Sequence, residues 1–272
     1  MTDRPAGDHR CRTQHGRALC STLRRGKLAI CVRDMRRPYR RYGAASYPDA
    51  RAACDLLLRR LGALVPADES LADELPHAIT DVHSTPHRQA VIEPAGRSQL
   101  RVLVDGWLLR AAYLHDGACQ ITEILVPGDL STRFTSGGDP ASVLVACGAA
   151  RIAMLDLDAL SLPARTVMEH ALHMARREEV RRLHTRLVTI GRRDARARFA
   201  QFMAETYARL AAVGLAEDGC FECPLTQEQL GDALGLTPVH VNRTLRRLYE
   251  EGVMAMSRRR IEIFDLAQLE YA

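Results

Sequence analysis

The sequence predicts an α+β chain in three parts: a β-roll, a long helix and a C-terminal winged helix-turn-helix. Three observations predict it. Short apolar runs broken by turn residues fill positions 77–157, and an apolar stripe follows helical spacing through 163–190. Two short helical patterns then stand back to back in LTQEQLGDALGLTPVHVNRTLRRL, ahead of a basic hairpin. At 272 residues and 47% hydrophobic, the chain can bury more than one core, which favours two domains over one.

Residues 1–50 are rich in Arg, Gly and small polar residues and show no sustained period. That is the composition of a disordered extension, or of a basic tail touching an anionic surface. Residues 1–62 carry 15 Arg or Lys against 5 Asp or Glu, and Met35 offers an alternative start. From 49 to 64 the spacing of Ala53, Leu57 and Leu61 predicts a helix. Between 77 and 157, apolar runs lie at 90–92, 100–104, 107–114, 120–126, 143–147 and 151–155. Pro-Ala-Gly, Asp-Gly, Pro-Gly-Asp and Gly-Gly-Asp-Pro separate them, so short strands joined by turns build a compact β-sandwich or β-roll. Asp116-Gly117, flanked by apolar runs, is a hairpin signal because Gly tolerates positive φ.

Pro163 suits the first turn of the long helix, where its missing N–H costs nothing. Val180, Leu183, Leu187 and Ile190 then step by three, four and three, with arginines on the outer faces. Such a stripe packs on its own domain or pairs with its copy in a homodimer. A further helix at 194–213 leads through 214–219 into the helix pair.

Thr226-Gln-Glu-Gln229 has capping-box form: the threonine hydroxyl accepts from a free first-turn N–H while Gln229 reaches back. Gly235 supplies the left-handed residue that ends this helix, and Thr237 caps the next, with Pro238 in its first turn. At 100° per residue, Val241, Leu245 and Leu248 fall on one buried stripe. The opposite side offers Val239, Asn242, Arg243, Arg246 and Arg247. Arg bonds guanine bidentately, Asn does the same with adenine, and Val touches a thymine methyl. Strands near 253–256 and 261–264 flank Ser257-Arg258-Arg259-Arg260, which sets cations where neighbouring phosphates would lie. Asp265 caps a last helical turn.

Totals exclude little. The net charge of +5, from 38 basic against 33 acidic residues, allows an anionic partner without requiring one. Only Lys27 is lysine, a bias that a GC-rich genome produces by itself. No apolar run reaches the roughly 18–20 residues that cross a bilayer, and residues 142–155 are interrupted by Arg151. The charged N-terminus lacks the apolar centre of a secretory signal. The expectation is a cytoplasmic protein, not membrane-bound, with its eight cysteines reduced. No Ser/His/Asp arrangement, phosphate-cradling loop or carboxylate pair points to catalysis; a thiol oxidoreductase built on Cys220 and Cys223, or a scaffold whose helix pair contacts protein, are the rivals.

TQEQLGDALGLTPVHVNRTLRRLYEEG and the hairpin after it resemble the DNA-binding domain of the Crp/Fnr family of bacterial transcription regulators. LVDGWLLRAAYLHDGACQITEILVPGDL resembles that family's cyclic-nucleotide-binding-type β-roll, and 163–190 resembles its dimerisation helix. The resemblance covers about 52–272 and, after the extension 1–50, implies a sensor roll over 51–162, a dimerisation helix over 163–191 and a winged helix-turn-helix over 192–272. It implies a homodimer on a twofold-symmetric operator in double-stranded DNA, working with RNA polymerase. Base-reading positions of the family fall on Pro238, Val239 and Arg243, of which Arg243 alone keeps the residue type of well-known members. Phosphate contacts fall on Thr226, Gln227, Thr237 and Arg246, to which Arg247, Arg258 and Arg259 are added by their charge and place. Val180, Leu183, Leu187 and Ile190 are the expected dimer contacts.

The expected sensor is less defined. Cyclic-nucleotide binders of the family carry Gly-Glu and, later, an Arg followed by two small residues. Here the first is Gly128-Asp129; the second falls on Pro140-Ala141-Ser142, with proline in place of the arginine that holds the cyclic phosphate. Gly128, Asp129 and Ser142 are the candidate effector contacts, for an unidentified small molecule. Cys11, Cys20, Cys31 and Cys54 stand too far apart for an iron–sulfur motif. Cys220 and Cys223 form a single CxxC, read as structural; Cys119 and Cys147 read as small buried residues. His77, His83 and His87 lack metal-site spacing, and no cofactor is expected.

Overall fold

The computed structural model describes residues 47–66, 69–91, 98–131 and 142–270. Positions 1–46, with Cys11, Cys20 and Cys31, and the Gly-Gly-Asp-Pro segment that holds Pro140, lie outside them.

Helix α1 (Tyr47–Gly62) buries Ala53, Leu57 and Leu61, the stripe that their spacing of four dictates. Helix α2 (Glu69–Ala78) is absent from the sequence expectation. Pro76 inside its last turn masks it, yet Leu71, Leu75 and Ala78 are buried on one side. It runs directly into strand β1 (Ile79–Thr85), whose polar ITDVHST hid it as well.

Strands β2 (Gln99–Tyr113) and β5 (Ser142–Asp156), each 15 residues long, pair antiparallel along their length. The sequence read each as two runs. Their breaks are bulges, not turns. The register shifts on both sides of Asp105, where Asp105 Oδ1 accepts from the Gly106 N–H at 2.9 Å. Gly106 has φ 73°, and a side chain there would collide with the Ala149 carbonyl. The Asp116-Gly117 turn joins β2 to β3 (Cys119–Leu125) as expected, with Asp116 Oδ1 accepting from Ala118 N at 2.9 Å and Gly117 at φ 87°. A short β4 (Leu130–Ser131) pairs with β2, and the order across the sheet is β1-β5-β2-β3.

Because of the bulges, the sheet offers apolar side chains to three places. Leu103, Leu108, Leu125, Leu144 and Ile152 make the inner core of the roll. Leu100, Val102 and Leu155 pack under α1, α2 and the start of the long helix α3 (Leu162–Arg192). Trp107, Leu109, Ile121, Val145 and Cys147 belong to the core of the C-terminal domain, which is therefore seated on the sheet.

Ser161 caps α3, accepting from Ala164 N, and Pro163 sits in its first turn. At 1.5 Å per residue its 31 residues span about 46 Å. The upstream half buries Ala164, Met168, Ala171 and Leu172; beyond Leu172, Thr189 is its one buried residue. Helix α4 (Ala195–Ala211), capped by Asp194, buries Phe199, Phe202, Met203 and Leu210. Strand β6 (Cys220–Glu222) follows, then α5 (Gln227–Leu234), α6 (Pro238–Glu250), β7 (Met254–Ser257), β8 (Arg260–Ile263) and α7 (Leu266–Glu270). Asp265 caps α7 through Gln268 N at 3.0 Å, and β6, β8 and β7 form a three-stranded antiparallel sheet. Among the described residues no helix is long and apolar enough to cross a membrane.

Candidate nucleic-acid interface

Local sequence fixes the helix pair. Gln229 N donates to Thr226 Oγ1 at 3.2 Å and Thr226 N donates to Gln229 Oε1 at 2.9 Å, so both halves of the capping box are made. Gly235 ends α5 at φ 66°, and Leu236 N returns to the Gly231 carbonyl at 3.0 Å. Thr237 Oγ1 accepts from His240 N at 3.3 Å and starts α6. Each cap uses the hydroxyl as acceptor. The angle between the helices depends on a close approach. A Cβ on Gly231 would stand 2.5 Å from the Leu236 carbonyl oxygen. Gly231→Ala is thus expected to force the turn open, costing about 1–3 kcal/mol as overpacked sites do; thermal unfolding alongside DNA titration checks it, and unchanged values for both would refute the contact.

In α6, Val241 and Leu248 are fully buried, Leu245 is partly so, and Thr244 joins them on the inner side. Opposite stand Val239, 67% exposed, with Asn242, Arg243 and Arg246, all exposed. Pro238 and His240 flank the same end, and His240 Nδ1 lies 3.2 Å from the Thr237 hydroxyl. His240 was not among the expected contacts, although its place beside Val239 makes it a neighbour of any groove that Val239 enters. Gln227 is exposed on the first turn of α5. Arg247 is exposed but bound to Glu251 at 2.7 Å, a carboxylate that Arg196 also holds at 2.6 Å. Those two hydrogen bonds keep Glu251 below the usual carboxylate range.

The wing turn carries Arg258, at φ 55°, and Arg259, both exposed; Arg260 Nε donates to Glu262 at 3.1 Å. Cys223 N donates to the Arg259 carbonyl at 2.7 Å and so fixes the turn to the segment before α5. Arg198 of α4 holds the other side, reaching the Leu234 and Gly235 carbonyls at 3.3 and 3.4 Å. Nothing in the local sequence marks Arg198 for that task. The result is one outward surface of Val, Asn, Arg and Thr side chains with arginines at its margins.

The sensor candidates are placed differently. Gly128 has φ 91°, in the turn before β4, and its N–H donates to Leu103 O at 2.8 Å. Asp129 is buried and its carboxylate is occupied: Oδ2 accepts from Val126 N at 2.8 Å and pairs with Arg209 of α4, while Oδ1 lies 3.6 Å from Arg60 of α1. Arg209 also donates to the Ile124 carbonyl at 2.9 Å. Ser142 opens β5. The cavity bounded by Arg60, Glu123, Asp129, Glu179 and Arg182 measures about 20 Å³, room for about one water rather than a ligand. Burial, with Glu123 nearby, pushes Glu179 there up to about 7. A carboxylate joined to guanidiniums from two domains is an internal strap.

Further contacts tie the domains. Gln120 donates to the Asp232 carbonyl at 2.6 Å, Arg186 to the Thr122 carbonyl at 3.0 Å, and Arg59 to the Val213 carbonyl at 3.2 Å. The Cys147 thiol lies 3.7 Å from the Pro224 carbonyl. Cys147 and Cys223 are both buried, and burial pushes the Cys223 thiol up to about 12, far from the thiolate that exchange chemistry uses. The histidines serve separate local contacts: His83 pairs with Asp81 at 3.6 Å, and His87 Nδ1 accepts from Gly148 N at 2.8 Å. Among the described residues no group of His, Cys, Asp or Glu is arranged to hold a metal ion.

Of the expected dimer contacts, Val180, Leu183 and Leu187 are exposed. Ile190 is half-buried and turned toward its own chain, beside Gly235.

Residues 197–272 match the Crp-like helix-turn-helix domain family. The chain is similar to the nitrogen fixation regulation protein FixK of Bradyrhizobium diazoefficiens, 24% identical over 234 residues, covering 82% of this chain and 94% of that protein. It is similar to the transcriptional activator protein FnrL of Cereibacter sphaeroides, 29% identical over 167 residues, covering 57% of this chain and 65% of that protein. Among solved structures, FixK2 from Bradyrhizobium japonicum shares the fold, with a TM-score of 0.59 at 23% identity over 70% of this chain and 96% of that one.

Proposed function

We infer, from a chain that belongs to the Crp/Fnr family of DNA-binding transcription regulators, that two copies of it read a twofold-symmetric operator, each through α6. The observation that carries this is the division of α6 into a buried Val241–Leu248 side and an exposed side of Val239, Asn242, Arg243 and Arg246. Pro238, Val239, Asn242 and Arg243 meet base edges; the Thr226, Gln227 and Thr237 groups, with Arg246, Arg247, Arg258 and Arg259, hold phosphates. Valine at 239 selects for an apolar base edge, a thymine methyl.

The exposed Val180, Leu183 and Leu187 on the downstream half of α3 support the dimer. Two recognition helices on one side of B-DNA must sit about 34 Å apart, and a symmetric seam along α3 sets that spacing. The sensor roll, 51–162, acts on the C-terminal domain through the strap at Asp129, and its effector is unidentified. The setting is the cytoplasm, with RNA polymerase as the further partner that a promoter-bound regulator engages.

Selection of bound sequences from random DNA tests the proposal: a palindrome with half-sites one helical turn apart is expected. Arg243→Ala should then lose about 1–3 kcal/mol and relax preference at one base pair, whereas Arg246→Ala should weaken all sequences alike and lower the salt slope by about 1. Equal, sequence-blind losses in both variants would refute the assignment.

A further inference from the structure

The exposed face of α3 is not the face of an ordinary apolar seam. Its outermost line runs through His173, Arg177, Val180, His184 and Leu187, which step by four, three, four and three. Two of those five are apolar. With the two copies of this helix parallel about the twofold axis, as in a two-stranded coiled coil, each residue of the line stands beside its own copy. Arg177 then faces Arg177 of the second chain, and Arg181, one turn on, flanks them.

No carboxylate of α3 is available to compensate. Glu178 points back to Arg60 and Arg182, at 3.9 and 3.6 Å; Glu179 lines the buried cavity near Asp129; Glu169, upstream on the outer side, is held by Arg165 at 2.9 Å. Arg177 and Arg181 are exposed, and neither makes an ion pair among the described residues. The groove they border, shared with Val180, His184 and Val188, holds about 870 Å³ and is open. Its walls are therefore basic and apolar together.

Resting on the dimer reading above, we propose that the two copies of α3 close around a multivalent phosphate-bearing anion, held by Arg177 and Arg181 of both chains. Two guanidiniums per copy call for an anion with several charges. Phosphate groups match the planar fork of arginine in pairs of hydrogen bonds, as chloride cannot. The aliphatic residues supply contact area, and the anion removes the repulsion that opposes it. Dimerisation, and with it operator affinity, then follows the concentration of that anion by mass action.

Sedimentation equilibrium of the full chain tests this with inorganic triphosphate, against sodium chloride and sodium sulfate at matched ionic strength. Triphosphate is expected to tighten the dimer by roughly 5–150-fold, the usual range of coupling between two binding events. Arg177→Gln combined with Arg181→Gln is expected to dimerise without triphosphate as tightly as the wild-type chain does with it, and to ignore its addition. Both sites are exposed, so the fold should survive, and circular dichroism verifies that. A wild-type dimer equally tight in all three salts overturns the proposal while leaving the dimer intact. A chain that stays monomeric in every arm, in both forms, overturns the dimer reading and the proposal with it.

Discussion

Asp129→Ala is expected to cost about 3–5 kcal/mol of folding stability, the range seen when one member of a buried ion pair is removed. Two guanidiniums, from Arg60 and Arg209, meet this carboxylate where all three residues are less than a tenth exposed. Removing it leaves both cations without their central partner and also frees the Val126 N–H. Arg60 keeps Glu178 at 3.9 Å, and Arg209 keeps Glu205 at 3.8 Å, so the loss is partial rather than total. In thermal unfolding this corresponds to a midpoint lowered by roughly 6–20 °C, at 2–4 °C for each kcal/mol. A double-mutant cycle separates the strap from simple packing. Asp129→Leu with Arg209→Met removes both charges, and apolar replacement of such a pair is often neutral or stabilising. The double variant should therefore recover most of what Asp129→Leu alone loses. If the two single losses merely add, the residues are not coupled and the strap is refuted.

The strap also shows which parts of the structure local sequence could carry. The helix pair was legible because its determinants are local: a capping box, a left-handed glycine, a second cap and a stripe at helical spacing lie within 24 consecutive residues. The two long strands were not, since Asp105-Gly106 and Gly148 have the composition of turns and become irregular points only because a second strand lies alongside. Helix α2 and strand β1 were hidden by Pro76 and by a polar strand sequence. Asp129 looked like a ligand contact by its position in Pro-Gly-Asp-Leu. Its partners stand 69 and 80 residues away, beyond any periodicity. One signal did exist: Phe202, Thr206 and Arg209 step by four and three on the buried side of α4, and an arginine there demands an acid from another element. The seating of α5 on β3 had no such signal, because Gln120 and the Asp232 carbonyl meet only once both domains are folded.

Leu187→Glu is expected to leave the fold intact and abolish high-affinity operator binding. Leu187 is 72% exposed in the single chain, so the new carboxylate loses little hydration and thermal unfolding should move little. In a dimer whose α3 helices run parallel about the axis the same side chain lies next to its copy, where two carboxylates repel and lose the apolar contact. The consequence for DNA is large because two half-sites bind as one ligand. Specific dimers commonly reach about 10⁻⁸–10⁻¹¹ M. A single domain with one α6 and one wing falls toward non-specific values, about 10⁻⁴–10⁻⁶ M at physiological salt. A loss of at least about 10²-fold should accompany the change from dimer to monomer in sedimentation, with the circular dichroism spectrum unchanged. The pairing of readouts is what makes the result decisive. A monomeric variant that still binds the palindrome as tightly as before would mean that α6 is not delivered to DNA in pairs. A variant that remains dimeric would mean that the copies meet elsewhere than along Val180, Leu183 and Leu187, and that the exposed face of α3 serves another contact.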